Sequence, residues 1–128
     1  MSEQTQQTSC TCDAAPTLIF ACSGAADVGR ISDLAARKIS AEGLGRMFCL
    51  AGIGGRVSGI MASTQSARAI LAIDGCPLVC AKKTLENAGF GNFEHLQLAE
   101  LGMEKGKTAA TDEAVAKVVS AARARLAG

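Results

Sequence analysis

Tryptophan and tyrosine are absent from this sequence, and four phenylalanines are its only aromatic residues. A single core built from 128 residues without large polar rings has to be filled by Ala, Val, Ile and Leu, which suits close packing of helices on a sheet. Net charge is scarce as well, because 13 Lys and Arg stand against 12 Asp and Glu, leaving a formal charge of +1. That balance makes no field for gathering nucleic acid or an anionic membrane surface, so neither is expected as a partner. The chain has no apolar run of about 18 residues to span a bilayer, nor the basic-then-apolar start of a secretory signal. A cytoplasmic protein is expected. Histidine occurs once and no Ser-His-Asp set is apparent, which leaves little choice of general base, and no catalytic residues are assigned.

Cysteine, by contrast, is plentiful: there are six. In a reducing compartment they read as thiols or metal ligands rather than structural disulfides. Residues 1–16 are polar and rich in Gln, Thr and Ser, and are expected to form a flexible tail. The tail carries Cys10-Thr11-Cys12, which either assists metal capture or is merely an exposed pair. Residues 17–128 are expected to form one α/β domain.

Within that domain the hydrophobic pattern alternates between short buried runs and helical periodicity. The run Leu18-Ile19-Phe20-Ala21-Cys22 predicts a strand, with Ser23 or Asp27 placed to cap a helix over residues 28–40 that closes at Gly43 and Gly45. Residues 46–51 predict a second strand, Gly52-Ile53-Gly54-Gly55 a turn, and Val57, Ile60, Met61 and Thr64 a short helix. Ile70 to Ile73 predict a third strand. It runs through Asp74-Gly75-Cys76-Pro77 into a helix over residues 77–88, with Cys76 as N-cap, Pro77 in the first helical place and Gly89 as a left-handed stop. A more polar strand at 93–98, a loop at 102–110 and a helix at 111–127 complete the chain. The last helix has acids at its start and Arg123 and Arg125 near its end. This alternation predicts a three-layer, doubly wound sheet of about four parallel strands in the order 2-1-3-4, with helices on both faces. The exposed outer strand leaves a homodimer open.

Such a sheet brings Cys22, Cys49, Cys76 and Cys80 to its carboxyl edge, where open α/β sheets place their ligands. Four thiolates make the closed tetrahedral sphere that zinc takes in structural sites, although a cysteine can equally serve as a small core hydrophobe. Cys76 and Cys80 have three residues between them, so the C-x-x-C spacing of a zinc knuckle is missing. An alternative is thiol-redox or sulfur-transfer chemistry with Cys76 or Cys80 as nucleophile, because a helix start favours thiolate. A third is an anion or small-molecule module using Gly54, Gly55 and the helix starts. Asp74 is expected to anchor its turn by accepting backbone N–H bonds, or else to orient a thiol or ligand. His95 reads as a partly exposed strand residue rather than a metal ligand.

Four ordered motifs carry a family resemblance: Phe20-Ala21-Cys22-Ser23-Gly24; Cys49-Leu50-Ala51-Gly52-Ile53-Gly54-Gly55; Asp74-Gly75-Cys76-Pro77-Leu78-Val79-Cys80-Ala81-Lys82-Lys83; and Glu100-Leu101-Gly102-Met103-Glu104-Lys105. Together they resemble the DGC-domain family over about residues 17–107. Its members are described as zinc-binding on account of their cysteines. The resemblance implies Zn2+ as cofactor and Cys22, Cys49, Cys76 and Cys80 as its ligands; it brings no established reaction. Cys10 and Cys12 fall outside the matching motifs.

Overall fold

A computed structural model of the chain describes residues 15–127, so Cys10, Cys12 and most of the expected tail lie outside the described residues. Strand β1, Thr17–Ala21, is buried along its whole length. Leu18 and Phe20 face one side of the sheet, and Ile19 and Ala21 face the other. Both sides are covered, which is why the run is continuously apolar rather than alternating. Helix α1, Asp27–Ala41, and helix α5, Asp112–Ala127, lie on the Ile19 side, where Val28, Ile31, Ile39, Val118 and Val119 meet Leu71, Ile73 and Leu96. The other side carries helices α2, Leu50–Gly54, α3, Ser58–Gln65, and α4, Cys80–Asn87, with Ile53, Ala81 and Leu85 in the core.

The remaining strands are β2, Arg46–Met47, β3, Ala69–Asp74, and β4, Glu94–Gln97. All pairings are parallel and the order is β2-β1-β3-β4. The expected α/β sheet and its 2-1-3-4 order are therefore what the chain adopts. Thr17 pairs with Ala69 and Ala21 with Ile73, while Ala72 pairs with His95 and Asp74 with Gln97. Among the described residues no helix is long and apolar enough to cross a membrane.

Three local expectations need correction. The second strand is only two residues long: after the Phe48 N–H bonds to Ile19 O, the chain turns into α2, with Cys49 as N-cap. Gly52-Ile53-Gly54-Gly55 is consequently the body and C-cap of that helix, not a turn. Ile53 is fully buried against the β1 side of the core, and that burial outweighs the poor helix propensity of its glycine neighbours. The helix after β3 begins at Cys80, not Pro77. Pro77 sits in a turn closed by the Val79 N–H on Cys76 O at 3.2 Å, a place its fixed φ suits. The N-cap is Val79, in the left-handed region at φ 48° and ψ 53°. Finally, the N-cap of α1 is Ala26 and Ser23 does not cap the helix, while Asp27 is its first residue and its carboxylate accepts the Val28 N–H at 2.8 Å. The Ser23 hydroxyl donates to Asp33, 2.8 Å away.

Asp27 has a different task. Its carboxylate accepts the N–H groups of Gly106 at 2.9 Å and Thr108 at 3.0 Å, tying the 102–111 loop to the start of α1. The Gly106 bond, then that of Thr108, holds the Asp27 carboxyl below the usual carboxylate range. A lowered pKa in the folded state means this tether contributes fully above the ordinary carboxylate pKa and is lost as pH falls through the lowered value. Amide exchange at Gly106 and Thr108, corrected for intrinsic rates, should stay slow at neutral pH and lose protection only in strong acid. Asp27→Asn should expose at least one of the two amides at every pH.

At the far edge, the Arg125 guanidinium donates to His95 O and to the Glu100 carboxylate. It occupies part of the β4 edge on which the homodimer expectation rested.

Candidate metal and thiol site at the carboxyl edge

The site is built around Asp74, the last residue of β3, whose side chain is 0% exposed. A buried carboxylate is tolerated only when its lone pairs are used. Here Oδ1 accepts the Ala81 N–H at 2.8 Å, Oδ2 accepts the Lys82 N–H at 3.0 Å, and His95 Nε2 lies 2.8 Å from Oδ2. Asp74 thus satisfies free donors in the first turn of α4 from outside the helix, as an N-cap side chain normally would. This explains why the helix starts at Cys80 and why Val79 is held in a conformation that a β-branched residue rarely takes. The expected turn-anchoring role of Asp74 is what the geometry gives.

Gly75 provides the second constraint. A Cβ at this position would lie 2.3 Å from Val28 O and 2.8 Å from Gly29 N, so the turn passes directly over the backbone of the first turn of α1. Gly29 is similarly close to Gly24 O, 2.7 Å from a would-be Cβ, which folds the β1–α1 loop onto the same helix start. Two glycines without room for a methyl group bring the loops after β1 and β3 together.

The cysteines are distributed around these loops. Cys22 is half-buried just beyond β1, and its N–H continues the strand pairing to Ile73 O at 2.9 Å. Cys76 is buried at 7% exposure, packing toward the α1 side, and Cys80 is exposed as the first residue of α4. Burial pushes the Cys22 thiol up; an N–H from Gly24 opposes this, and the charges of Asp74, Cys80 and Cys76 push it further up. Asp74, Cys76 and Cys80 are therefore each within electrostatic reach of Cys22. Cys49 lies beyond the end of β2, exposed, with its sulfur accepting the Gly52 N–H at 3.3 Å. It borders an open groove of about 1090 Å3 that also meets Ser23, Asp33, Arg37, Phe48 and Thr84. Burial raises the Asp33 carboxyl, but bonds from Arg37 and Ser23 more than reverse this and leave it below its usual range.

The donor set has the chemistry zinc selects, namely several cysteines on the loops and helix starts that follow β1, β2 and β3, with one histidine on β4. As folded, however, no three His, Cys, Asp or Glu side chains among the described residues stand at the spacing a metal ion needs. The donors share a rim without forming a closed sphere.

Reading the sequence missed the part played by His95. Its position on an outer strand is legible, but its pairing with Asp74 depends on the parallel register of β3 and β4, which no local pattern encodes.

Fold and site together define a doubly wound α/β protein with a thiol-rich carboxyl edge clamped by a buried aspartate. A family model for the DGC domain matches residues 18–122, and the chain belongs to the DGC-domain family. It is also 39% identical over 88 residues to AnvM, the anaerobic and virulence modulator of Pseudomonas aeruginosa, a match covering 69% of this chain and 67% of that protein. No solved structure matches.

Proposed function

We propose that this DGC-domain protein binds zinc through cysteine thiolates at the carboxyl edge of its sheet, with Cys22, Cys76 and Cys80 as the nucleus of the site and Cys49 as the fourth ligand. What supports this reading is that the loops after β1 and β3, seated on the start of α1 through Gly29 and Gly75, bring Cys22, Cys76 and Cys80 to the same end of the sheet as the buried Asp74 carboxylate. In the metal-free protein each neighbouring negative charge disfavours the Cys22 thiolate. A divalent cation among the sulfurs reverses every one of those repulsions and holds the thiols deprotonated. Because the donors do not stand at ligand spacing as folded, binding has to draw the rim loops together. The groove beside Cys49 and Ser23 leaves the fourth ligand open to solvent.

The alternative, a thiol-redox or sulfur-transfer enzyme with Cys76 or Cys80 as nucleophile, draws on the exposure of Cys80 at a helix start. It is weakened by Asp74, whose carboxylate already takes the N–H groups of Ala81 and Lys82 and opposes the field that would favour a thiolate there. A site made of reduced thiols fits a cytoplasmic protein with a metal ion as its partner.

Elemental analysis of the purified full chain should find about one zinc per molecule, as a single tetrathiolate site requires. Serine at Cys22, Cys76 and Cys80 together should abolish it. Zinc content unchanged in that triple variant would overturn the proposal, as would a metal-free parent that takes up no zinc on titration.

A further inference from the structure

We infer that His95 is a positioning residue of the cysteine site, acting through Asp74 to set the Cys76–Cys80 loop. Strand β4 is the edge strand of the sheet and contributes no cysteine. Residues two apart on a strand share a face, and on β4 that face is His95 and Gln97. They point at the end of β3 and at the loop that follows it. His95 Nε2 reaches Asp74 Oδ2 at 2.8 Å, and Gln97 Nε2 lies 3.5 Å from the carbonyl oxygen of Cys76.

A carboxylate can only accept, so the His95–Asp74 bond has Nε2–H as donor. Oδ2 then serves two donors at once, His95 and the Lys82 N–H, and Oδ1 serves Ala81. The carboxylate has two torsions, and both backbone N–H groups bond it from the α4 side, leaving its sheet side to be held by another donor. His95 does so, with its ring only 20% exposed and its own backbone oxygen held by Arg125. The plane of Asp74 fixes where α4 begins, which fixes Cys80 and keeps Val79 left-handed. Cys76 is held from the other end by Gly75 against α1. The edge strand thereby determines the separation of two thiols on a loop it does not belong to. Groups that orient ligands in this way commonly change metal affinity about tenfold to a hundredfold when removed.

The zinc part of this inference rests on the function proposed above; the loop-setting part does not, and the test separates them. His95→Ala removes the donor, while His95→Gln replaces Nε2–H with an amide N–H at similar reach. Two measurements are made on the full-length chain: hydrogen exchange of the Ala81 and Lys82 amides in metal-free protein, and zinc affinity by competition with a chromophoric chelator. His95→Ala should lose protection at both amides and bind zinc at least about tenfold more weakly. His95→Gln should restore both. Parental protection in His95→Ala, or equal loss in both variants, would remove the inference, as would lost protection with unchanged zinc affinity. If the parent binds no zinc, the proposed function fails while the amides and the glutamine rescue still decide whether His95 sets the loop.

Discussion

Gly75→Ala should be among the most destabilising single substitutions available in this chain, costing about 3 kcal/mol or more where overpacking normally costs 1–3. The added methyl group would sit 2.3 Å from Val28 O and 2.4 Å from the Val28 carbonyl carbon, with Gly29 N at 2.8 Å. These are backbone atoms in the first turn of a 15-residue helix whose Val28 and Ile31 are fully buried. No side chain can rotate away to make room. Either α1 moves off the sheet, opening the larger half of the core, or the turn lifts and takes Asp74 and Cys76 with it. Gly59→Ala provides the control, since a Cβ there meets nothing within 4 Å and the residue lies inside α3. It should be neutral or stabilising by up to about 1 kcal/mol. Urea unfolding of both variants measures the difference; a Gly75→Ala protein with the parental midpoint would show that the turn after β3 does not rest on α1.

How much of this could be read from the sequence depends on whether the controlling contacts are local. Strands β1 and β3 are legible because a sheet buried on both faces leaves short, unbroken apolar runs, as in Leu18 to Ala21 and Ile70 to Ile73. Gly43 and Gly89 mark helix ends because both adopt positive φ, at 79° and 94°. The strand order follows from the alternation of elements and the rules for connecting them. What failed to be legible is what depends on partners distant in sequence. Pro77 looks like a helix start until Asp74 is seen gripping Ala81 and Lys82, seven and eight residues on, which displaces the start to Cys80. Residues 46–51 look like a strand, but Ile53 and Leu50 pack against the core on the β1 side, and this draws the chain into a helix at Cys49. The four cysteines were placed at one edge from topology alone. Their spacing there depends on loop geometry set by Gly75, Gly29 and Asp74, for which the local pattern carries no signal.

Asp74→Ala is expected to cost about 3 kcal/mol or more, because a buried hydrogen-bond network loses the acceptor its donors share. The substitution leaves three donors without their acceptor: the N–H groups of Ala81 and Lys82 and the Nε2–H of His95. The Ala81 bond is buried and the other two are partly so. Each unsatisfied buried donor costs about 1–3 kcal/mol, but the three act as one network and their costs do not add. Water reaching the Lys82 end reduces the sum further. Asp74→Asn separates the contributions, because an amide oxygen can still accept one N–H whereas its NH2 group cannot accept the second. That variant should lose roughly half as much stability as Asp74→Ala. The stability loss should come with release of Val79 from its left-handed conformation, since Asp74 is the side chain that bonds the N–H groups of Ala81 and Lys82 in the first turn of α4. Denaturant unfolding of the two variants, with amide exchange at Ala81 and Lys82, tests this. A loss below about 1 kcal/mol in Asp74→Ala would mean that the carboxylate is not what fixes the start of α4, because that is all a single ordinary hydrogen bond supplies.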